Sequence, residues 1–175
     1  LEQTTKRLRK DLLIAADNRR HYKVLQNPVS DDTNAISNAF RLKSRPAILI
    51  TILKRNNYIQ ELTKLFLSFD IKSKLGNNGV LIIDDEADQA SLNTYARKNS
   101  KSEDWEEDEH SSTYSSILNL KASLINHSYI QYTATPQGPL LINLMDLLSP
   151  EFHVVLTPGK AYTGGKVFFE DNPGL

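Results

Sequence analysis

The 175 residues contain no cysteine. This excludes a disulfide framework, every cysteine-based zinc site and thiol redox chemistry, and it suits a reducing cytosol. Long apolar runs are also missing. The longest, Ala47 to Leu53, includes Thr51 and falls well short of the ~20 residues that span a bilayer. No membrane span is expected, and the compartment expected is the cytoplasm. Internal repeats are absent, and so is net charge, with 21 Lys and Arg against 21 Asp and Glu. What is present is an ordinary globular composition, 39% hydrophobic and 24% charged, which can bury a core and is unlike disordered, collagenous, coiled-coil or mucin chains. The length fits one domain or a large piece of one. The chain opens on Leu1 with no apolar signal core, so it reads as an excised segment with something expected upstream.

The charges are unevenly placed. Residues 1–76 carry 15 basic and 7 acidic side chains, a net of +8, and residues 77–175 carry 6 and 14, a net of −8. A basic first half can meet nucleic-acid phosphate and an acidic second half can hold cations. Two solvated, mutually attracting faces account for the same split.

The pattern of apolar residues alternates helices with strands. Leu8, Leu12 and Ala15 or Ala16 recur at helical spacing from Leu1 onward, with Lys6, Arg7, Arg9 and Lys10 on other faces, which predicts a basic amphipathic helix. Gln26 to Thr33 reads as a loop capping a short helix from Ala35 to Leu42. Ala47 to Leu53, β-branched and continuous, predicts a central strand of a parallel sheet. Asn56 or Asn57 is placed to cap a helix whose apolar face holds Tyr58, Leu62, Leu65, Phe66 and Phe69. After a turn at Gly76 to Gly79, Val80 to Ile83 predicts a second strand, ending at Asp84. Residues 89–112 show no periodicity; within them Trp105 stands among acids, and residues 99–112 read as an acidic mobile loop. Ser112 or Thr113 can cap a helix presenting Ile117, Leu120 and Leu124. Tyr129 to Thr133 is strand-like and stopped by Pro136 and Gly138. A helix from Leu140 to Leu148 and a strand from Phe152 to Leu156 complete an α/β rhythm with a mainly parallel sheet.

In such sheets ligands bind beyond the carboxyl ends of the strands. Asp84-Asp85-Glu86-Ala87-Asp88 stands at one such end. A buried strand fixes the backbone there, and carboxylates on it can hold Mg²⁺ and orient an attacking water, which is a nucleotide-hydrolysis signature. A strand running by chance into an acidic turn is the plainer reading, but four adjacent carboxylates repel one another. Tyr132-Thr133-Ala134-Thr135-Pro136 ends the following strand. Alone it reads as a turn, and beside the acids it becomes more specific.

These motifs, with Gln89-Ala90-Ser91 and Tyr162-Thr163-Gly164-Gly165, resemble superfamily-two helicases and, more closely, the Z-one endonuclease-associated domain family, helicase-type ATPases of prokaryotic DNA-modification and defence systems. The similarity runs from about Leu1 to Gly165, and Gln3-Thr4 and Arg7 look like the start of the family's helix after its phosphate-binding segment. The resemblance implies a partial RecA-like domain over residues 1–165, of the P-loop NTPase type, with residues 166–175 as a tail leading out of it. It further implies that Asp85 holds Mg²⁺, that Glu86 is catalytic by positioning and activating water, and that Asp88 links to Thr133 and Thr135, coupling nucleotide state to strand movement. Asp84 stands where generic helicases carry an apolar residue and is placed beside Asp85 in the metal-holding set. Lys6, Arg7, Arg9 and Lys10 are the candidate nucleic-acid contacts. ATP and Mg²⁺ would be bound by the parent protein, neither being expected to bind tightly to these residues alone, with DNA, a second ATPase domain and nuclease or other defence subunits as partners.

The sequence departs from this pattern in one main respect. No Gly-x-x-x-x-Gly-Lys-Ser/Thr occurs, and Gly164-Gly165-Lys166-Val167 lacks both the spacing and the hydroxyl. Nor is there room after Leu156 for a second α/β domain. The chain is therefore expected to hold half an active site and to be inactive alone. A metal-dependent nuclease is the alternative enzyme, although His21, His110, His127 and His153 are scattered away from the acids. A non-enzymatic docking domain is the third reading.

Overall fold

A computed structural model of the chain describes residues 1–15, 22–44, 46–88, 112–135, 148–157 and 159. In order these form α1 (Glu2–Ala15), β1 (Tyr22–Gln26), α2 (Thr33–Arg41), β2 (Ala47–Thr51), α3 (Asn56–Leu67), α4 (Phe69–Leu75), β3 (Val80–Asp85), α5 (Ser112–Ala122) and β4 (His127–Tyr132). Among the described residues no helix is long and apolar enough to cross a membrane.

The strands form two parallel pairs. β1 runs alongside β2 with Tyr22 opposite Ala47 and Gln26 opposite Thr51. β3 runs alongside β4 with Val80 opposite His127 and Asp85 opposite Tyr132. Parallel neighbours need a long crossover, and helices lie within both connections, α2 in the first and α5 in the second. The fold is thus α/β with parallel pairing, as the alternation of patterns predicts, but among the described residues the strands form two separate pairs rather than one sheet, so β2, with β1 as its one strand neighbour, is not the central strand expected.

One core joins these elements. Ile59, Leu62, Leu65 and Phe66 of α3 are buried with Tyr114, Ile117 and Leu120 of α5, and Ile48, Ile50, Val80, Ile82 and Tyr129 press on them from the strands. Because strand side chains alternate, the other face of the β3–β4 pair carries Leu81, Ile83, Ile130 and Tyr132, all exposed. Thr5 of α1 shares a 2.8 Å hydroxyl contact with Thr51, which ties α1 to the end of β2.

Several expectations are corrected. β1 has no strand signature in the sequence: Tyr-Lys-Val-Leu-Gln is short and half polar, and parallel pairing with the more apolar β2 stabilises it. Its end is fixed by Asn27, which adopts a left-handed backbone (φ 43°) while its side-chain Oδ1 accepts the Leu53 N–H at 2.9 Å. The expected loop before α2 contains a 3₁₀ turn at Ser30–Asp32. The N-cap of α3 is Arg55 rather than Asn56 or Asn57, and Asn56 instead accepts a hydrogen bond from the Ser116 hydroxyl. The helix expected through Phe69 breaks at Ser68, whose extended ψ starts α4 and leaves Phe69 almost wholly exposed. β3 extends two residues farther than the apolar run, through Asp84 and Asp85. Phe152 to Leu156 forms no strand and is exposed. A β-branched run becomes a strand only where a neighbouring strand takes up its hydrogen bonds. The expected acidic loop, the helix to residue 147, Gln89-Ala90-Ser91, the Tyr162 to Gly165 motif and the tail lie outside the described residues, apart from Ser112, which begins α5, and Leu148, which is buried.

Candidate functional site

The carboxyl ends of β2 and β3 meet at one lysine. Lys54, three residues beyond β2, donates from Nζ to Asp84 Oδ1 at 2.9 Å, to the Asp85 carbonyl at 2.8 Å and to the Glu86 carbonyl at 2.6 Å. An ammonium has three hydrogens to donate, and these three acceptors account for all of them. The Lys54 side chain is 24% exposed and that of Asp84 5%, so the pair lies largely out of water.

Asp84 faces the core side of β3, where alternation places it with Val80 and Ile82. Its second oxygen, Oδ2, accepts the Tyr129 hydroxyl at 2.6 Å from the adjacent strand. Burial, and then the Asp84 charge, push the Tyr129 phenol well above its ordinary range. Both Asp84 oxygens are therefore bonded within the protein, one to a lysine and one to a tyrosine. Asp85 and Glu86, in contrast, are exposed at the strand end.

The turn after β3 is sharply shaped. Glu86 has a left-handed backbone (φ 55°), a conformation that costs an L-residue roughly 1–2 kcal/mol. Its N–H donates to Asp85 Oδ1 at 3.1 Å, and the fully buried Ala87 donates its N–H to the Tyr132 carbonyl at 3.1 Å. The chain thereby leaves β3, turns over Glu86 and is tied back to the end of β4. Asp88 follows and meets the Thr motif. Thr133 donates to Asp88 Oδ1 at 2.6 Å and Thr135 to Asp88 Oδ2 at 2.5 Å, while the Thr135 N–H donates to the Thr133 hydroxyl at 3.0 Å. These hydrogen bonds, Thr133 first and then Thr135, hold the Asp88 carboxyl below its ordinary range.

The structure thus brings Asp84, Asp85, Glu86, Asp88, Thr133 and Thr135 to one end of the β3–β4 pair. Lys6, Arg7, Arg9 and Lys10 lie exposed along α1, a separate element. Lys6 pairs with Glu2 at 2.7 Å, a contact about three-quarters exposed on both sides and so largely screened. His127 directs Nδ1 at the Leu124 carbonyl, and His153 stands in the irregular exposed segment, so neither joins the acids.

Lys54 is the site residue that sequence reasoning missed. Its one local signal is its position just past the predicted central strand, at the strand end where ligands of parallel sheets gather. Its acceptors lie 30 to 32 residues away, beyond any local pattern.

A metal can be weighed against this donor set. Among the described residues no group of three or more His, Asp or Glu side chains is arranged to hold an ion. Mg²⁺ commonly takes only one or two carboxylates and completes its shell with water and substrate phosphate, a demand that an exposed Asp85 at a strand end meets. Two cavities, of about 140 and 420 Å³, lie elsewhere, the first lined by Arg9, Leu12, Tyr22, Val24 and Leu49, and the second by residues around α2. Neither is lined by the acidic turn. In comparisons with known proteins, no family model, no curated protein and no solved structure matches the chain.

Proposed function

We propose that the chain carries the metal-holding and water-activating half of an ATP hydrolysis site, within a partial RecA-like domain of a DNA-acting, helicase-like protein similar to the Z-one family. The observation that carries this reading is the double bond of Asp88 to Thr133 and Thr135, which joins the acidic turn of β3 to the Thr-Ala-Thr segment of β4. An acidic turn alone is common. One that is bonded through its last carboxylate to two hydroxyls on the neighbouring parallel strand is a connected unit, suited to passing a change at the nucleotide to the strand behind it.

In this reading Asp85 holds Mg²⁺, which when bound neutralises charge on the phosphate oxygens. Glu86, exposed and turned out of the strand by its left-handed backbone, orients water and takes its proton. Asp84 stays with Lys54 and Tyr129 as a brace, so the metal-holding role rests on Asp85. Phosphate binding comes from a glycine-rich loop that these 175 residues do not contain. DNA and the second ATPase domain are partners of the assembled protein, in a restriction or defence setting.

The test is ATP turnover with and without the phosphate loop. The 175 residues alone should hydrolyse no ATP measurably. With the loop in place, Glu86→Gln should leave ATP and Mg²⁺ binding nearly intact and slow hydrolysis by roughly a hundredfold or more. Robust turnover by the 175 residues would overturn the division of the site, and an unimpaired Glu86→Gln protein would make the turn structural and favour a docking domain.

A further inference from the structure

We infer that Lys54 is the positioning residue of the acidic turn: its ammonium, bonded at once to the Asp84 carboxylate and to the Asp85 and Glu86 carbonyls, sets the backbone that presents Asp85 and Glu86. The inference rests on the hydrolytic reading for its consequence and on geometry for its substance. A non-glycine residue holds a left-handed backbone only where its surroundings impose it. At Glu86 the turn's own hydrogen bonds come from N–H groups, of Glu86 to Asp85 Oδ1 and of Ala87 to the Tyr132 carbonyl. The carbonyls of Asp85 and Glu86 both point to Lys54. Two successive carbonyls converging on one cation bend the chain between them, and the residue between their peptide planes is Glu86.

The choice of lysine follows from donor geometry. Three acceptors gathered about one point match the tetrahedral ammonium, whereas a guanidinium spreads its donors in a plane and cannot converge three of them. Lys54→Arg therefore keeps the charge opposite Asp84 and loses the convergence. Lys54 also sits on the segment leading from β2 into α3, so the brace is the link by which the first strand pair sets the shape of the second pair's acidic end.

Three measurements on the 175-residue chain test this. In the unsubstituted protein the Lys54 Nζ protons, followed by ¹⁵N-edited NMR, should exchange with water at least tenfold more slowly than those of Lys64, whose ammonium pairs with Glu61 at the surface. Equal rates would overturn the inference without any variant. In Lys54→Met and Lys54→Arg the Ala87 amide should exchange at least tenfold faster, while amides within α3 change less than threefold. An unchanged Ala87 amide in folded variants would refute the brace. Finally, Mn²⁺ standing in for Mg²⁺ should broaden the Asp85 and Glu86 amide signals, with apparent affinity at least fivefold weaker in both variants. Lys54→Arg should recover thermal stability relative to Lys54→Met but not this affinity, a separation that a purely structural lysine would not produce. If both properties recover together, positioning is refuted. If Mn²⁺ at millimolar concentration broadens nothing in the unsubstituted chain, the metal-holding role of Asp85 fails, and the exchange rates still decide the role of Lys54.

Discussion

Replacing Tyr129 with phenylalanine removes one oxygen and leaves the ring in the core, so it isolates the hydroxyl's bond to Asp84. A hydrogen bond to a charged group contributes about 1.5–3 kcal/mol, and the acceptor here is a carboxylate with little access to replacement water. Lys54 remains on the other oxygen, so a loss of about 2 kcal/mol is expected, or about 4–8 °C in Tm for a chain of this size. Urea denaturation should show a lower midpoint with an unchanged slope. The pH dependence has a definite sign. Tyr129 is raised in the folded state above the ordinary phenol value of 10.0, so its contribution is complete below pH 10 and is lost as the pH rises beyond it, when the unfolded chain ionises first. Tyr129→Phe should remove that alkaline loss. Asp84→Asn, which breaks a largely buried pair from one side, should cost more, about 3–5 kcal/mol, and the two substitutions combined should fall short of additivity. A loss below about 0.5 kcal/mol for Tyr129→Phe, with full additivity, would show that the hydroxyl does not support the carboxylate, and the account of Asp84 as a brace would fail.

Asn27 separates two contributions: Asn27→Gly keeps the left-handed backbone but loses the bond to the Leu53 N–H, about 1 kcal/mol, while Asn27→Ala loses both and should cost on the order of 1 kcal/mol more, read by urea denaturation. The Thr133→Ala, Thr135→Ala double variant should let the Asp88 carboxyl rise toward its ordinary value in a ¹³C titration. Since a lowered carboxyl stabilises the fold above its unfolded value and ceases to as the pH falls through the folded one, the variant should lose that share of its acid dependence. On the proposed function, the same variant in a protein that includes the phosphate loop should keep basal ATP hydrolysis and lose most of its DNA stimulation; an unchanged ratio would reduce the segment to a turn.

Legibility followed the range of the interactions. The runs Ala47 to Thr51 and Val80 to Ile83 declare strands because consecutive β-branched and apolar residues favour extended backbone, although in β3 burial alternates and Leu81 and Ile83 face solvent, while the spacing of Leu62, Leu65 and Phe66 declares α3 because all three are buried. The acids and the Thr motif were readable as candidates because each follows a legible strand. What stayed hidden depends on partners far along the chain. Lys54 looks like any lysine after a strand until Asp84 is beside it, β1 is a strand only because β2 is its neighbour, and Phe152 to Leu156 has strand composition without a strand's neighbour. The break at Ser68 was masked because Phe69 continues the helical spacing of α3 without sharing its burial. The inward turn of Asp84 was obscured for a different reason, since the apolar run stops one residue before it while the backbone alternation does not.

Tyr129 and Asp84 stand 45 residues apart in the chain, and that separation orders events during synthesis. At roughly 5–20 residues per second, a ribosome takes about 2–9 s to travel from one to the other. Throughout that interval β3 exists without the strand it pairs with, and Asp84 without the hydroxyl that closes its second oxygen. Lys54 is made before either, so the ion pair can form first and tie the end of the nascent strand to the segment between β2 and α3 while α5 and β4 emerge. A ribosome that stops before Thr135 releases a chain whose acidic end has its lysine but lacks Thr135, so the ladder from Asp88 to the Thr-Ala-Thr segment closes only once the residues just beyond β4 have been made.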